Sequence, residues 1–117
     1  MQLTLLKAKI QPATVTDANL YYEGSITIDE ELLDASGMIP YEKVQVLNIN
    51  NGSRSETYII KGKRGSGNII MNGALARNAE VGDKVIIIAY MIADAQEASA
   101  FEPKIVLVDE KNRITTP

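Results

Sequence analysis

Short runs rich in Val, Ile, Thr and Tyr recur along the chain, and turn-forming residues separate them. This pattern is typical of β-strands and leaves helices a minor part. The predicted strands cover residues 3–10, 25–28, 44–50, 56–62, 68–71, 84–91 and 105–108. We therefore expect an all-β barrel or sandwich.

Asn51-Gly52 stands between two of these runs and predicts a type I′ hairpin turn, in which both central residues have positive φ. Strand 44–50 should then pair with strand 56–62. The unbroken apolar stretch within 84–91 suits a strand that is buried on both faces, at the centre of the barrel.

Helices are predicted at two short places. Asp29 precedes an acidic pair and two leucines, the pattern of an N-cap and first turn, and Gly37 could end this helix. Residues 72–77 predict another short helical turn. The residues after Val108 predict a solvated tail.

The length of 117 residues suffices for one domain with its own core and is too short for two. Lys plus Arg number 12 and Asp plus Glu number 15, so the formal net charge is -3 and no basic field exists for nucleic acid. The longest apolar run, 85–93, is too short to cross a bilayer, and the first four residues lack signal-peptide features. We expect a single cytoplasmic domain over residues 1–117, with neither nucleic acid nor a membrane as partner.

The chain contains neither Cys nor His. This absence excludes a Ser-His-Asp triad, a Cys nucleophile, a zinc site built from Cys and His, and a disulfide scaffold. If the protein is an enzyme, its reactive centre must come from another kind of group.

Gly-Ser occurs three times, and one copy has different surroundings. Gly52-Ser53 and Gly65-Ser66 lie among turn formers, whereas Gly24-Ser25 opens a strand, where a strained glycine is expected. The serine hydroxyl can attack the glycine carbonyl and convert the amide to an ester. Elimination then leaves dehydroalanine, and hydrolysis releases ammonia and leaves a pyruvoyl group. The dipeptide by itself favours a simple turn.

A wider pattern extends over four segments of the chain. They are residues 16–29 (Thr-Asp-Ala-Asn-Leu-Tyr-Tyr-Glu-Gly-Ser-Ile-Thr-Ile-Asp), residues 51–54 with Thr57-Tyr58, residues 72–74, and residues 81–83 with 85–88. In order and spacing these segments resemble the pyruvoyl-dependent aspartate 1-decarboxylases, which make β-alanine for pantothenate synthesis. Four segments are much more specific than one dipeptide.

The resemblance implies a six-stranded double-psi β-barrel with short helices, and a homotetramer with active sites between neighbouring subunits. It implies self-cleavage between Gly24 and Ser25 into chains 1–24 and 25–117, with Ser25 converted to the pyruvoyl group. That cofactor would form a Schiff base with L-aspartate, whose α-carboxylate leaves as CO2, without a metal or pyridoxal phosphate. Whether cleavage is spontaneous or needs a maturation partner stays open.

The resemblance also implies roles at two neighbouring positions. Tyr58 would return a proton to the carbanion, and the Thr57 hydroxyl would stabilise the oxyanion formed during self-cleavage. Neighbours on a strand face opposite sides unless the strand is bulged, so their geometry is a test of these roles.

The implied substrate site needs partners for two carboxylates. Arg54 offers a planar two-point contact and Lys9 a mobile point charge, and which carboxylate each binds stays open. The resemblance implies further substrate-binding residues at Thr57, Asn72, Gly73 and Ala74, of which the glycine and alanine would let backbone N–H groups approach the substrate.

The main alternative is a non-enzymatic small β-barrel that serves as a recognition or assembly module. The chain would then stay intact, and Lys9, Arg54 and Tyr58 would be surface residues without a shared pocket. A pyruvoyl decarboxylase for another dicarboxylic amino acid is also open, since pocket length cannot be read from the sequence. Net charge, a single Phe and the absence of Trp disfavour an oligonucleotide-binding barrel.

Gln11 and Pro12 depart from the family pattern, since many relatives carry a histidine followed by an arginine there. Gln11 can hydrogen-bond but cannot titrate. We therefore expect Gln11→His to change the pH dependence of cleavage or catalysis, as measured by pH-rate profiles of the variant and the wild type. Identical profiles would contradict this expectation.

Overall fold

Strands make up most of the computed structural model, which describes residues 1–116. The strands are β1 (Gln2–Thr14), β2 (Asp17–Asn19), β3 (Ser25–Asp29), β4 (Lys43–Asn48), β5 (Arg54–Gly62), β6 (Ile69–Asn72), β7 (Lys84–Asp94) and β8 (Lys104–Leu107). The helices are α1 (Glu30–Ser36), a 3-10 helix (Gly73–Asn78) and α2 (Ala95–Ala98). Within the described residues, no helix has the length and apolarity needed to cross a membrane.

The strands follow the order β2-β6-β3-β5-β4-β7-β1-β8 in one mixed sheet. The end of β1 returns to β6, because the backbone N–H of Thr16 donates to the carbonyl oxygen of Ile69 at 2.8 Å. The row from β6 to β1 therefore curls into a ring, and the predicted all-β barrel is confirmed. Residues 1–116 form eight strands instead of six, because β2 pairs in parallel with β6, and β8 with β1.

The core fills the inside of this ring. Its largest fully buried side chains include Ile10, Ile26, Ile28, Leu32, Ile59, Ile69, Met71 and Ile87. The predicted central strand, β7, is indeed an interior strand between β4 and β1. Ile87 and Ile88 are buried on its opposite faces, whereas Ile86 is half-buried.

Strands β4 and β5 pair antiparallel, as predicted, but the turn between them is not type I′. Gly52 has a φ of 76°, whereas Asn51 is not among the residues with positive φ. The connection is a longer loop over residues 49–53, in which the N–H of Asn48 donates to the carbonyl oxygen of Ser53 at 2.9 Å. The Asn51 side chain accepts from the N–H of Ser53 at 2.9 Å and so stabilises this loop.

Both predicted helical segments are present. The Asp29 carboxylate caps α1 by accepting from the N–H of Glu31 at 2.9 Å. Gly37 ends the helix in the left-handed conformation, with φ 77°, and its N–H donates to the carbonyl oxygen of Leu33. The 3-10 helix covers the second segment, displaced by one residue from 72–77.

The residues after Val108 are only partly the solvated tail that we expected. The Asn112 side chain is buried, and its amide donates to the carbonyl oxygens of Thr14 at 2.9 Å and Gly67 at 2.8 Å. Its oxygen accepts from the N–H of Thr14 at 2.7 Å. These contacts hold the last segment against β1 and against the loop before β6.

Asp29 also joins α1 to the loop before β6. Its buried carboxylate accepts from the backbone N–H groups of Gly65 at 3.0 Å and Gly67 at 2.8 Å, in addition to that of Glu31. Burial raises the pKa of Asp29, but the three backbone hydrogen bonds and the charge of Arg113 outweigh it, so the pKa lies below 3.8. The ionised form therefore stabilises the fold.

This lowered pKa predicts how stability depends on pH. The stabilisation from Asp29 is present above the unfolded pKa of 3.8 and is lost as the pH falls through the lower folded value. Asp29→Asn should lower the free energy of unfolding at neutral pH by about 1–3 kcal/mol. It should also reduce the loss of stability below about pH 4. Urea unfolding at several pH values measures both effects.

Asp94→Asn is the matched control, since Asp94 is exposed and its side chain makes no capping hydrogen bond. Equal pH dependence of stability in the wild type and in both variants would contradict the role of Asp29.

Candidate active site

Ser25 is the first residue of β3 and is completely buried. Its hydroxyl donates to the carbonyl oxygen of Glu23 at 3.3 Å and accepts from the Asn72 amide at 3.0 Å. Asn72 lies directly opposite Ser25 in the β3–β6 ladder and also donates to the Thr27 hydroxyl at 3.0 Å. The serine hydroxyl is thus fixed next to the exposed Gly24, which precedes it.

A cavity of about 440 Å3 opens beside this position. Among the residues that line it are Gly24, Thr57, Tyr58 and Ala74. These positions come from three separate parts of the chain, and the fold brings them together around one cavity. The cavity is large enough for a small amino acid.

Thr57 and Tyr58 both border the cavity although they point to opposite faces of β5. The β4–β5 ladder continues through both positions without a register shift, so β5 has no bulge here. β3 pairs with β5 only from Ile59 onward, which leaves the edge formed by residues 55–58 open. Both side chains can line the cavity because it lies along this open edge.

Gly73 packs against the segment that precedes Ser25. It has a φ of +65°, and a Cβ atom there would lie 2.8 Å from Gly24 Cα, Gly24 N and the carbonyl oxygen of Tyr22. Only glycine fits such a backbone approach. Gly24 itself has no positive φ and has open space around an added Cβ. The expected strained glycine at position 24 is therefore wrong, and the left-handed glycine of the site is Gly73.

The two predicted carboxylate partners do not line this cavity. Lys9 on β1 pairs with Ile88 on β7, and Ile88 pairs with Gln45 on β4. Gln45 in turn pairs with Glu56 on β5. Three strand spacings, about 14 Å, therefore separate Lys9 from β5. Arg54 is exposed, and its Nη1 donates to Gln45 Oε1 at 2.5 Å.

Lys9, Arg54 and Tyr58 nevertheless share one face of the sheet. Residues opposite each other on paired strands lie on the same face, and so do residues two apart on one strand. Lys9 and Gln45 therefore lie on the same side as Arg54 and Tyr58, and this side faces away from the core. In a single chain, Lys9 and Arg54 lie outside the cavity, but on the same outward surface as the Tyr58 side chain.

Other residues complete the description of the site. Gln11 pairs with Leu107 of β8, away from the cavity. Within residues 1–116, no group of three or more His, Cys, Asp or Glu side chains could hold a metal ion. Thr27 and Gln45 were not predicted, and each accepts a hydrogen bond from a predicted site residue, Thr27 from Asn72 and Gln45 from Arg54. Thr27 could have been found, because it follows Ser25 by two positions on one strand and so shares its face, whereas no local signal marks Gln45.

Comparison with known proteins gives a consistent result. The family model described as aspartate decarboxylase matches residues 1–115. The chain is 65% identical to the aspartate 1-decarboxylase of Carboxydothermus hydrogenoformans over 114 residues, covering 97% of this chain and 90% of the relative. It is 61% identical to that of Chloroherpeton thalassium, covering 97% and 83% of the two chains. The aspartate 1-decarboxylase of Bacillus subtilis is 58% identical, with 97% and 90% covered.

Among solved structures, a computationally designed protein aligns with a TM-score of 0.49 and 18% identity, over 76% of this chain and 99% of that one. A likeness at this level adds nothing to the fold described above. The match over nearly the whole chain and the high identity to several relatives decide the classification. This chain belongs to the aspartate decarboxylase family.

Proposed function

We propose that this chain is a proenzyme that cuts itself between Gly24 and Ser25 and then decarboxylates L-aspartate to β-alanine. The observation that carries the proposal is the buried Ser25 hydroxyl, which Asn72 holds beside Gly24 at the cavity that Tyr58 lines. The high identity to relatives named aspartate 1-decarboxylase supports the choice of reaction. A cytoplasmic location and a part in pantothenate synthesis belong to the same proposal.

Self-cleavage begins with attack of the Ser25 hydroxyl oxygen on the carbonyl carbon of Gly24. A C–O bond forms, the C–N bond breaks, and the hydroxyl proton passes to the nitrogen, which gives an ester and a free amine. Thr57, which lines the cavity together with Gly24, would donate to the oxyanion that forms on the way. Elimination then removes the Cα proton of residue 25 and breaks its Cβ–O bond. Gly24 ends as a carboxylate, and water releases ammonia from the dehydroalanine.

The residues around position 25 fit the pyruvoyl group that this sequence of steps would leave. Asn72 directs its amide N–H at the Ser25 Oγ, so this donor would stabilise that oxygen as it leaves with Gly24. The group left at position 25 is an uncharged ketone, whose oxygen replaces the amide nitrogen on Cα and needs no charged partner. The group supplies an electrophilic carbonyl that binds the substrate amine and withdraws electrons from the carbon that loses CO2. The open cavity beside Gly24 gives a small amino acid access to it.

Protein side chains supply the remaining functions. The phenol of Tyr58, at the cavity wall, donates a proton to the carbon that has lost CO2. Arg54 and Lys9 attract the two carboxylates of aspartate, the first by a planar two-point contact and the second as a point charge.

The position of these cations supports active sites between subunits, and we propose the homotetramer that the resemblance implies. Lys9 and Arg54 lie on the outward face of the sheet, where Tyr90 is 40% exposed and Ile92 is 69% exposed. A second copy that covers this face would bring its own charged side chains to the cavity of the first. Whether a maturation partner assists cleavage is a separate question, which the rate of cleavage of the purified protein answers.

Turnover tests the assignment of Tyr58. Tyr58→Phe should remain cleaved but should form β-alanine from L-aspartate at least about a hundredfold more slowly per cleaved chain, because it lacks the proton donor. Tyr21→Phe is the control, since Tyr21 is 97% exposed and does not line the cavity. Unchanged turnover of Tyr58→Phe would remove Tyr58 from the mechanism, and a cleaved wild type that makes no β-alanine would overturn the proposed reaction.

Cleavage rate tests the backbone contact at Gly73. Gly73→Ala should slow the loss of precursor by about tenfold or more, because its methyl group displaces the Gly24 backbone from the Ser25 hydroxyl. Gly52→Ala is the matched control, because Gly52 also has a left-handed φ, +76°, but no atom within 4 Å of an added Cβ. Time courses by mass spectrometry measure both rates. Equal rates in the two variants would show that the contact does not matter for cleavage.

A further inference from the structure

Tyr41 contacts the proposed proton donor through its ring. The ring centroids of Tyr41 and Tyr58 are 6.4 Å apart, and the ring planes are inclined by 24° in a stacked arrangement. This separation lies in the range of favourable aromatic pairs. Tyr41 is 81% exposed, so burial in the core does not account for its position.

A β-bulge directs the Tyr41 side chain. The N–H of Tyr41 donates to the carbonyl oxygen of Ile59 at 2.8 Å, and the N–H of Ile59 donates to the carbonyl oxygen of Glu42 at 3.1 Å. Tyr41 and Glu42 thus both lie opposite Ile59, which is the arrangement of a β-bulge. Tyr41 has a φ of 72°, in the left-handed region where such bulges usually have glycine. A tyrosine in this conformation is costly, and strain of this kind is concentrated at functional sites.

Glu42 fixes the bulge to the rest of the barrel. One carboxylate oxygen accepts from the N–H of Ile39 at 3.0 Å, and the other accepts from Lys7 Nζ at 2.8 Å. Lys7 lies in β1 at a register shift between Leu6 and Ala8. The turn that carries Tyr41 is therefore anchored to two strands.

We propose that Tyr41 is a positioning residue, whose ring holds the phenol of Tyr58 in the orientation needed for proton transfer at the cavity. The inference rests on the proposed function, in which Tyr58 donates the proton. Tyr41 is not among the residues that line the cavity with Gly24, so it acts through Tyr58 and not on the substrate. Its loss should lower kcat more than it changes KM.

Tyr41→Asn removes the ring but keeps the left-handed backbone conformation, because asparagine adopts that region more readily than tyrosine does. We expect complete cleavage, an unfolding midpoint equal to or above that of the wild type, and a kcat per cleaved chain lower by about threefold to tenfold. KM should stay within about twofold. Tyr41→Phe keeps the ring and should restore kcat to within about twofold of the wild type.

Wild-type kcat in Tyr41→Asn would overturn the inference, and so would an equal loss of kcat in both variants. A lower kcat together with a lower unfolding midpoint would indicate general loosening and would also count against it. The proposed function is tested separately in the same assay by the wild type and Tyr58→Phe. If the wild type is active and Tyr58→Phe is not, insensitivity to Tyr41 overturns this inference alone.

Discussion

The pairing of β3 with β6 places Asn72 opposite Ser25, and the proposed chemistry depends on this pairing. Through it the Asn72 amide holds the serine hydroxyl in a buried position. The next residue, Gly73, begins the 3-10 helix and packs its backbone against Gly24. One short segment therefore fixes both the nucleophile and the peptide bond that it would attack, which is the preorganisation that an intramolecular reaction needs.

The open edge of β5 carries proposed site residues on both sides of the sheet. Thr57 and Tyr58 meet at the cavity because β3 does not cover that edge, although one side chain points inward and the other outward. The outward side continues to Arg54 and, three strands away, to Lys9. Under the proposed function, cleavage is arranged within one chain, whereas the proposed homotetramer would bring the charged side chains of a neighbouring copy to the substrate.

Local sequence patterns predicted the helix that Asp29 caps and seven of the eight strands in residues 1–116, because alternation and capping act over a few residues. The three-residue strand β2 was not predicted, since so short a segment has no alternation to detect. The prediction of a type I′ turn is wrong because the Asn51 side chain stabilises a longer loop. The prediction of a solvated tail is partly wrong because Asn112 hydrogen-bonds to residues far away in the sequence. For the same reason Gly73, and not Gly24, has the left-handed conformation: its environment is a distant backbone segment. Site roles came from the family resemblance, since periodicity does not report which distant residues meet.

Intact-mass spectrometry of the purified, denatured protein tests the central claim of self-cleavage most directly. The account predicts two chains, residues 1–24 and residues 25–117, with the larger lighter by one ammonia than a chain that begins with serine. Ser25→Ala should remain one chain, because it lacks the attacking hydroxyl. A wild-type protein that stays a single intact chain after prolonged warm incubation, and still does so with cell extract added to supply any maturation partner, would contradict the account.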